Sequence, residues 1–145
     1  MVRLSRTTPV LAVLVFYAAL QIVPQARAEE RAAPVVPSLK QKILQRFDVP
    51  GTNYETVIMR VEFPPNYAVS RHSHPGPQAS YVLQGELTYL FDGEPPAKRN
   101  AGESKDLPGY AIHGAKAGPE GAILLNSYVV EKGKPLSIAA GTPPP

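Results

Sequence analysis

The chain has 145 residues, 15 lysines and arginines against 12 aspartates and glutamates, a formal net charge of +3 and no cysteine. The lack of cysteine excludes disulfides, thiolate metal ligands, a cysteine nucleophile and a lipid-modified N-terminal cysteine, so an exported form must rely on its own core. Arg3, Arg6 and Arg27 account for the whole of the positive excess, which leaves residues 29–145 formally neutral and without the basic stripe that nucleic-acid binding requires.

Arg3 and Arg6 precede an apolar run, Leu11 to Val23, in which Gln21 is the only strongly polar member, and Ala26-Arg27-Ala28 follows. Basic, apolar, then small-x-small is the order of a secretory signal peptide, expected here over residues 1–28 with cleavage after Ala28. The apolar run falls short of the roughly 20 residues that a membrane-crossing helix needs. A periplasmic or secreted protein is expected, with no stable membrane insertion after cleavage. Arg3 and Arg6 are not adjacent, which favours the general export route over the twin-arginine one.

Residues 29–53 read as a flexible leader with one short element. Ser38 and Gln41 have capping-box spacing, and Leu39, Ile43, Leu44 and Phe47 would share a helical face, so a helical turn is predicted, with an irregular edge strand as the alternative. Asp48-Val49-Pro50-Gly51 is a turn. The period then changes to two: Val57, Met59, Val61 and Phe63 alternate with Thr56, Ile58, Arg60 and Glu62, as in a strand covered on one face. Short runs follow at 68–74, 80–83, 87–91, 98–100, 104–107, 111–115 and 122–130, separated by breaks that carry glycine or proline. Several short strands without a long amphipathic helix predict an all-β, antiparallel sandwich or barrel over residues 54–136. The tail from residue 137 is predicted to be disordered.

The histidines are His72, His74 and His113. On a strand, two residues apart lie on one face about 6.6 Å from each other, close enough for both rings of His72-Ser73-His74 to converge on one ion. An antiparallel barrel could bring His113 opposite them. The alternative is three ordinary polar side chains on a solvated sheet face.

With these residues in view, the chain resembles the cupin superfamily, and its small single-domain exported members in particular, over about residues 54–131. His72-Ser73-His74, Gln78 and Gly85 stand at the separations of the first cupin motif, and Gly102, Pro108 and His113 at those of the second. The resemblance implies a cupin-type antiparallel β-barrel, or double-stranded β-helix (jelly roll), and a metal site on His72, His74 and His113. Asn66 replaces the first motif's opening glycine, and Gly109-Tyr110 displaces a glycine of the second. Gln78 stands where many members carry a glutamate ligand, so it is either a fourth, neutral ligand or a group that only binds a water.

Three imidazoles and an amide leave a divalent ion's charge uncompensated and suit zinc, copper, nickel or iron better than manganese. Tyr67, Arg71, Tyr81, Tyr89, Tyr110, Asn126 and Tyr128 are further groups able to serve chemistry, Arg71 and Ser73 being expected to face away from the metal. The leading expectation is a metal-dependent protein acting on or binding a small molecule, with a dioxygenase-like reaction as its enzymatic form. A non-catalytic metal-dependent binding module is the alternative, and a metal-free isomerase-like cupin comes third. A homodimer is one assembly compatible with all three.

Overall fold

The computed structural model describes residues 38–141. The expected signal peptide, residues 29–37 of the leader and the last four residues lie outside the described residues. The elements are eight strands: β1 (Lys40–Asp48), β2 (Tyr54–Phe63), β3 (Ala68–Ser73), β4 (Gln78–Phe91), β5 (Ala97–Asn100), β6 (Ser104–Leu107), β7 (His113–Glu131) and β8 (Ile138–Ala139). All their pairings are antiparallel, as the spacing of turns predicts.

The two long strands form the spine. β4 and β7 pair from Gln78↔Tyr128 to Phe91↔His113. On its other edge β7 pairs with β2 over its C-terminal half and with β3 over its N-terminal half. The change of partner falls at Gly118–Gly121, where the register jumps from Gly85↔Ala122 to Leu87↔Ala117. This segment and Gln84-Gly85-Glu86 were expected to separate strands; instead they bend continuous ones. Bulges in a paired ribbon turn the sheet without ending it. Glycine is required at the bend: Gly85 and Gly121 have φ of 74° and 78°. A Cβ on them would stand 2.1 Å from the Gly121 carbonyl oxygen and 2.5 Å from that of Phe63, respectively.

The bend encloses the core. Val57, Met59 and Val61 of β2 are buried while Ile58 and Arg60 between them are not, so the predicted alternation holds. Val82, Leu87, Leu107, Leu124 and Val130 pack with them. Each such side chain contributes about 1.5–3 kcal/mol on full burial.

Two expectations are corrected. Residues 40–48 form an extended edge strand paired with β2 from Lys40↔Glu62 to Asp48↔Glu55, and not a helical turn. Ile43 pairs with Met59 and Gln45 with Ile58, so Leu44 is the extra residue of a bulge. That insertion breaks the two-residue period and imitates helical spacing. All nine residues are exposed, so backbone pairing rather than a buried face decides the conformation. The segment from residue 137, expected to be disordered, contains a short strand. Ile138 and Ala139 pair with Ser73 and His72, and Ile138 is buried.

Candidate metal centre

The β3–β7 ladder sets His72 directly opposite His113, and the chain leaving β3 carries His74 to the same place. The ring centroids lie 4.5 Å (His72–His113), 4.9 Å (His72–His74) and 5.2 Å (His74–His113) apart. One ligand atom from each falls within 4.8 Å of the others, a grouping that could hold a metal ion. Ser73, between them, is buried and pairs with Ile138, away from the cluster as alternation requires.

Each ring is anchored the same way. Nδ1 of His72 lies 2.8 Å from the Ser70 carbonyl oxygen, that of His74 2.5 Å from Leu136 and that of His113 2.9 Å from Ala111. A carbonyl oxygen only accepts, so each Nδ1 carries a proton, and in the neutral ring that leaves the lone pair on Nε2. Burial lowers the His74 pKa to about 4, outweighing the bond to Leu136, and the neighbouring imidazoles push it the same way. Burial likewise lowers that of His113. Both rings are therefore neutral at neutral pH, the form that binds metals.

Gln78 opens β4 opposite Tyr128. It is buried, and its Oε1 has no hydrogen-bond partner. Leaving such an acceptor unmet costs about 1–3 kcal/mol, so the atom calls for a cation or a donor. Together with three Nε2 lone pairs, this neutral donor set fits a borderline divalent ion.

The two motif departures are conformationally mild. Asn66 and Tyr110 have φ of 58° and 60° and are the non-glycine residues with positive φ among those described. Each therefore keeps the left-handed conformation that favours glycine. The Tyr110 N–H donates to the His74 carbonyl oxygen at 2.7 Å, tying the turn before His113 to the other histidine segment.

The histidines open onto a cavity of about 420 Å³. Met59, Val61, Leu87, Leu107 and Leu124 supply apolar wall, and Ser80, Tyr89, Asn126 and Tyr128 a polar one. There Tyr89 donates to Ser80 Oγ at 2.7 Å, Ser80 to Asn126 Oδ1 at 2.7 Å, and Asn126 Nδ2 to the Tyr128 hydroxyl at 3.1 Å. Burial raises the pKa of both tyrosines, so both remain protonated donors. Of the further groups singled out in the sequence, Tyr89, Asn126 and Tyr128 reach the cavity. Arg71 sits at its edge, largely exposed and paired with Asp92. Tyr81 and Tyr110 are exposed, and Tyr67 packs edge-on against Phe63 at 6.4 Å. Ser80 was missed, although alternation from Gln78 would have put it on the inner face.

Residues 59–128 match the family model of the cupin domain. No curated protein matches the chain. Among solved structures, a cupin-like protein from Thermotoga maritima is similar at 23% identity and a TM-score of 0.57, over 72% of this chain and 77% of that one. The polyketide cyclase RemF from Streptomyces resistomycificus gives 23% and 0.56, over 72% of each chain. A cupin superfamily protein from Desulfitobacterium hafniense gives 21% and 0.55, over 79% of this chain and all of that one. At these identities the likeness is one of fold. With the family-model match, the bent antiparallel sheet and the histidines at both motif positions, residues 59–128 of the chain form a cupin domain.

Proposed function

We propose that the protein is a metal-dependent small-molecule cupin, in which His72, His74 and His113 hold one divalent ion through Nε2 and Gln78 Oε1 adds a fourth ligand. The observation that carries this reading is the set of three Nδ1–carbonyl bonds, which leaves every Nε2 free. An ion bound there would supply Lewis acidity toward an oxygen of the guest or a seat for dioxygen, the latter being the dioxygenase-like form of the reading. The apolar wall excludes water and seats the body of the guest, while Asn126 and Tyr128 face it with hydrogen-bonding groups. A likeness to a polyketide cyclase supports a small organic molecule as that guest.

A non-catalytic binding module is the second reading, favoured by one feature: the described residues that line the cavity include no carboxylate to act as a base. Export by the signal peptide over residues 1–28 belongs to the proposal, with Glu29 as the mature N-terminus. Elemental analysis of protein from its native compartment tests the metal. One ion per chain is expected, lost in a His72/His74/His113 triple alanine variant, and unchanged content in that variant would overturn the proposal. Oxygen uptake with candidate substrates separates the oxidative reading from simple capture. Intact mass tests cleavage after Ala28.

A further inference from the structure

The polar wall has a direction. In the chain Tyr89→Ser80→Asn126→Tyr128 every arrow is a donated proton. Asn126 spends Oδ1 on Ser80 and turns Nδ2 to Tyr128, so the Tyr128 oxygen accepts and its own O–H must donate elsewhere. No hydrogen bond donated by that hydroxyl is present among the described residues. Tyr128 is buried, lines the cavity and stands 5.1 Å from His74, ring centroid to ring centroid. The cavity thus presents one outgoing proton beside the histidines. Gln78 adds the complementary observation, a buried acceptor with nothing to accept, on the residue paired with Tyr128 across the β4–β7 ladder.

The geometry points to a specificity rule: the cavity takes a molecule with an anionic oxygen, a carboxylate or enolate, on an apolar body, and Tyr128 is the residue that recognises that oxygen. The anionic character rests on the metal reading above, because three imidazoles and an amide leave the ion's charge uncompensated. The need for an acceptor oxygen rests on the relay alone. Met59, Val61, Leu87 and Leu124 line the space that the apolar body would fill. Tyr89, Ser80 and Asn126 act through Tyr128 and are positioning residues.

Calorimetric titration of zinc, and then of benzoate and benzylamine into the zinc-loaded and metal-free protein, tests this. Benzoate supplies an anionic acceptor on a ring, and benzylamine a cationic donor of similar size. Wild type should prefer benzoate. Tyr128→Phe keeps the ring and should weaken benzoate about tenfold or more, as expected for a hydrogen bond to a charged group, while leaving zinc affinity and benzylamine unchanged. Ser80→Ala, which leaves the Tyr128 hydroxyl in place but cuts its support, should move the preference in the same direction by less. Failure of the wild type to bind zinc would sink the metal reading; the tyrosine assignment would then be judged on the metal-free titrations. The assignment falls if wild type does not bind benzoate, if Tyr128→Phe binds it as well as wild type does, or if both probes weaken equally. It also falls if Tyr89→Phe, and not Tyr128→Phe, abolishes the preference, since the relay would then run the other way.

Discussion

The two polar regions of the cavity are held in different ways. At the histidine end, the proposed metal end, each imidazole is fixed by a main-chain carbonyl, from Ser70, Leu136 and Ala111. At the other end Tyr89, Ser80, Asn126 and Tyr128 are fixed only by one another's side chains. A carbonyl is present whatever residue bears it, so the first arrangement depends on backbone geometry and survives substitution of its supports. The second fails if any member is replaced. The metal end should therefore be robust to everything except loss of its histidines, and the relay sensitive throughout.

The largest effect should come from removing a histidine. His74→Ala should lower zinc affinity at least a hundredfold, whereas Leu136→Ala, which keeps the supporting carbonyl, should change it little. Zinc titration of the two variants checks this. An equal loss in both would mean that side-chain packing, and not the backbone, orients the ring.

The same contrast explains what the sequence disclosed. His72-Ser73-His74 and His113 were legible because their spacing on strands fixes which face they share, and the backbone does the rest. The period of β2 was legible because one face is buried. β1 was not, because all its residues are exposed and the bulge at Leu44 destroys the alternation. Gly85 and Gly118–Gly121 announced a change of direction, but a glycine pair does not say whether a strand ends or bends; here the β4–β7 pairing continues on both sides of it. Ser80 went unnoticed because its role exists only through Tyr89 and Asn126, partners 9 and 46 residues away. The unmet Oε1 of Gln78 could not be read from the residue type at all.

Acid should strain the metal end next. His74 takes up a proton near pH 4 when folded, against 6.5 for its ordinary value. Between those values the unfolded chain binds the extra proton, so stability of the metal-free protein is complete above about pH 6.5 and is lost as pH falls toward 4. This ring's share of the loss is on the order of 3 kcal/mol. Urea unfolding of metal-free wild type and His74→Gln across that range checks it. The variant should have a flatter profile, and parallel profiles would show that another group carries the acid sensitivity.

Gln78 pairs with Tyr128 across the β4–β7 ladder and lines the same cavity as the histidines, and its substitution reports on which end it serves. Gln78→Glu restores a carboxylate and should raise affinity for Mn²⁺ and Fe²⁺ more than for Cu²⁺, since hard ions gain most from an anionic oxygen. Gln78→Ala should leave the three histidines binding with a modest loss. Titration of wild type and both variants with each ion decides the matter: identical selectivity in all three would make the site a bare three-histidine one.

The smallest effect on zinc binding should come from the relay, where substitution should change stability and, through Tyr128, the benzoate preference. Ser80 is fully enclosed, accepts from Tyr89 and donates to Asn126. Ser80→Ala removes both bonds and leaves a phenolic hydroxyl and an amide oxygen without their partner. The expected cost is about 1–3 kcal/mol, reduced by any bond that Tyr89 and Asn126 make with water in the cavity. Tyr89→Phe removes one of the two bonds and strands nothing but one lone pair of Ser80, so it should cost less, about 1 kcal/mol. Because the two residues share a bond, the double variant should cost less than the sum of the singles by at least about 0.5 kcal/mol. Zinc affinity should stay at the wild-type value in all three, since each variant keeps the Tyr128 ring that packs against His74. Additive costs would show that Ser80 and Tyr89 are not coupled, and a parallel fall in zinc affinity would show that the side-chain network and the backbone-held metal end are one structure rather than two.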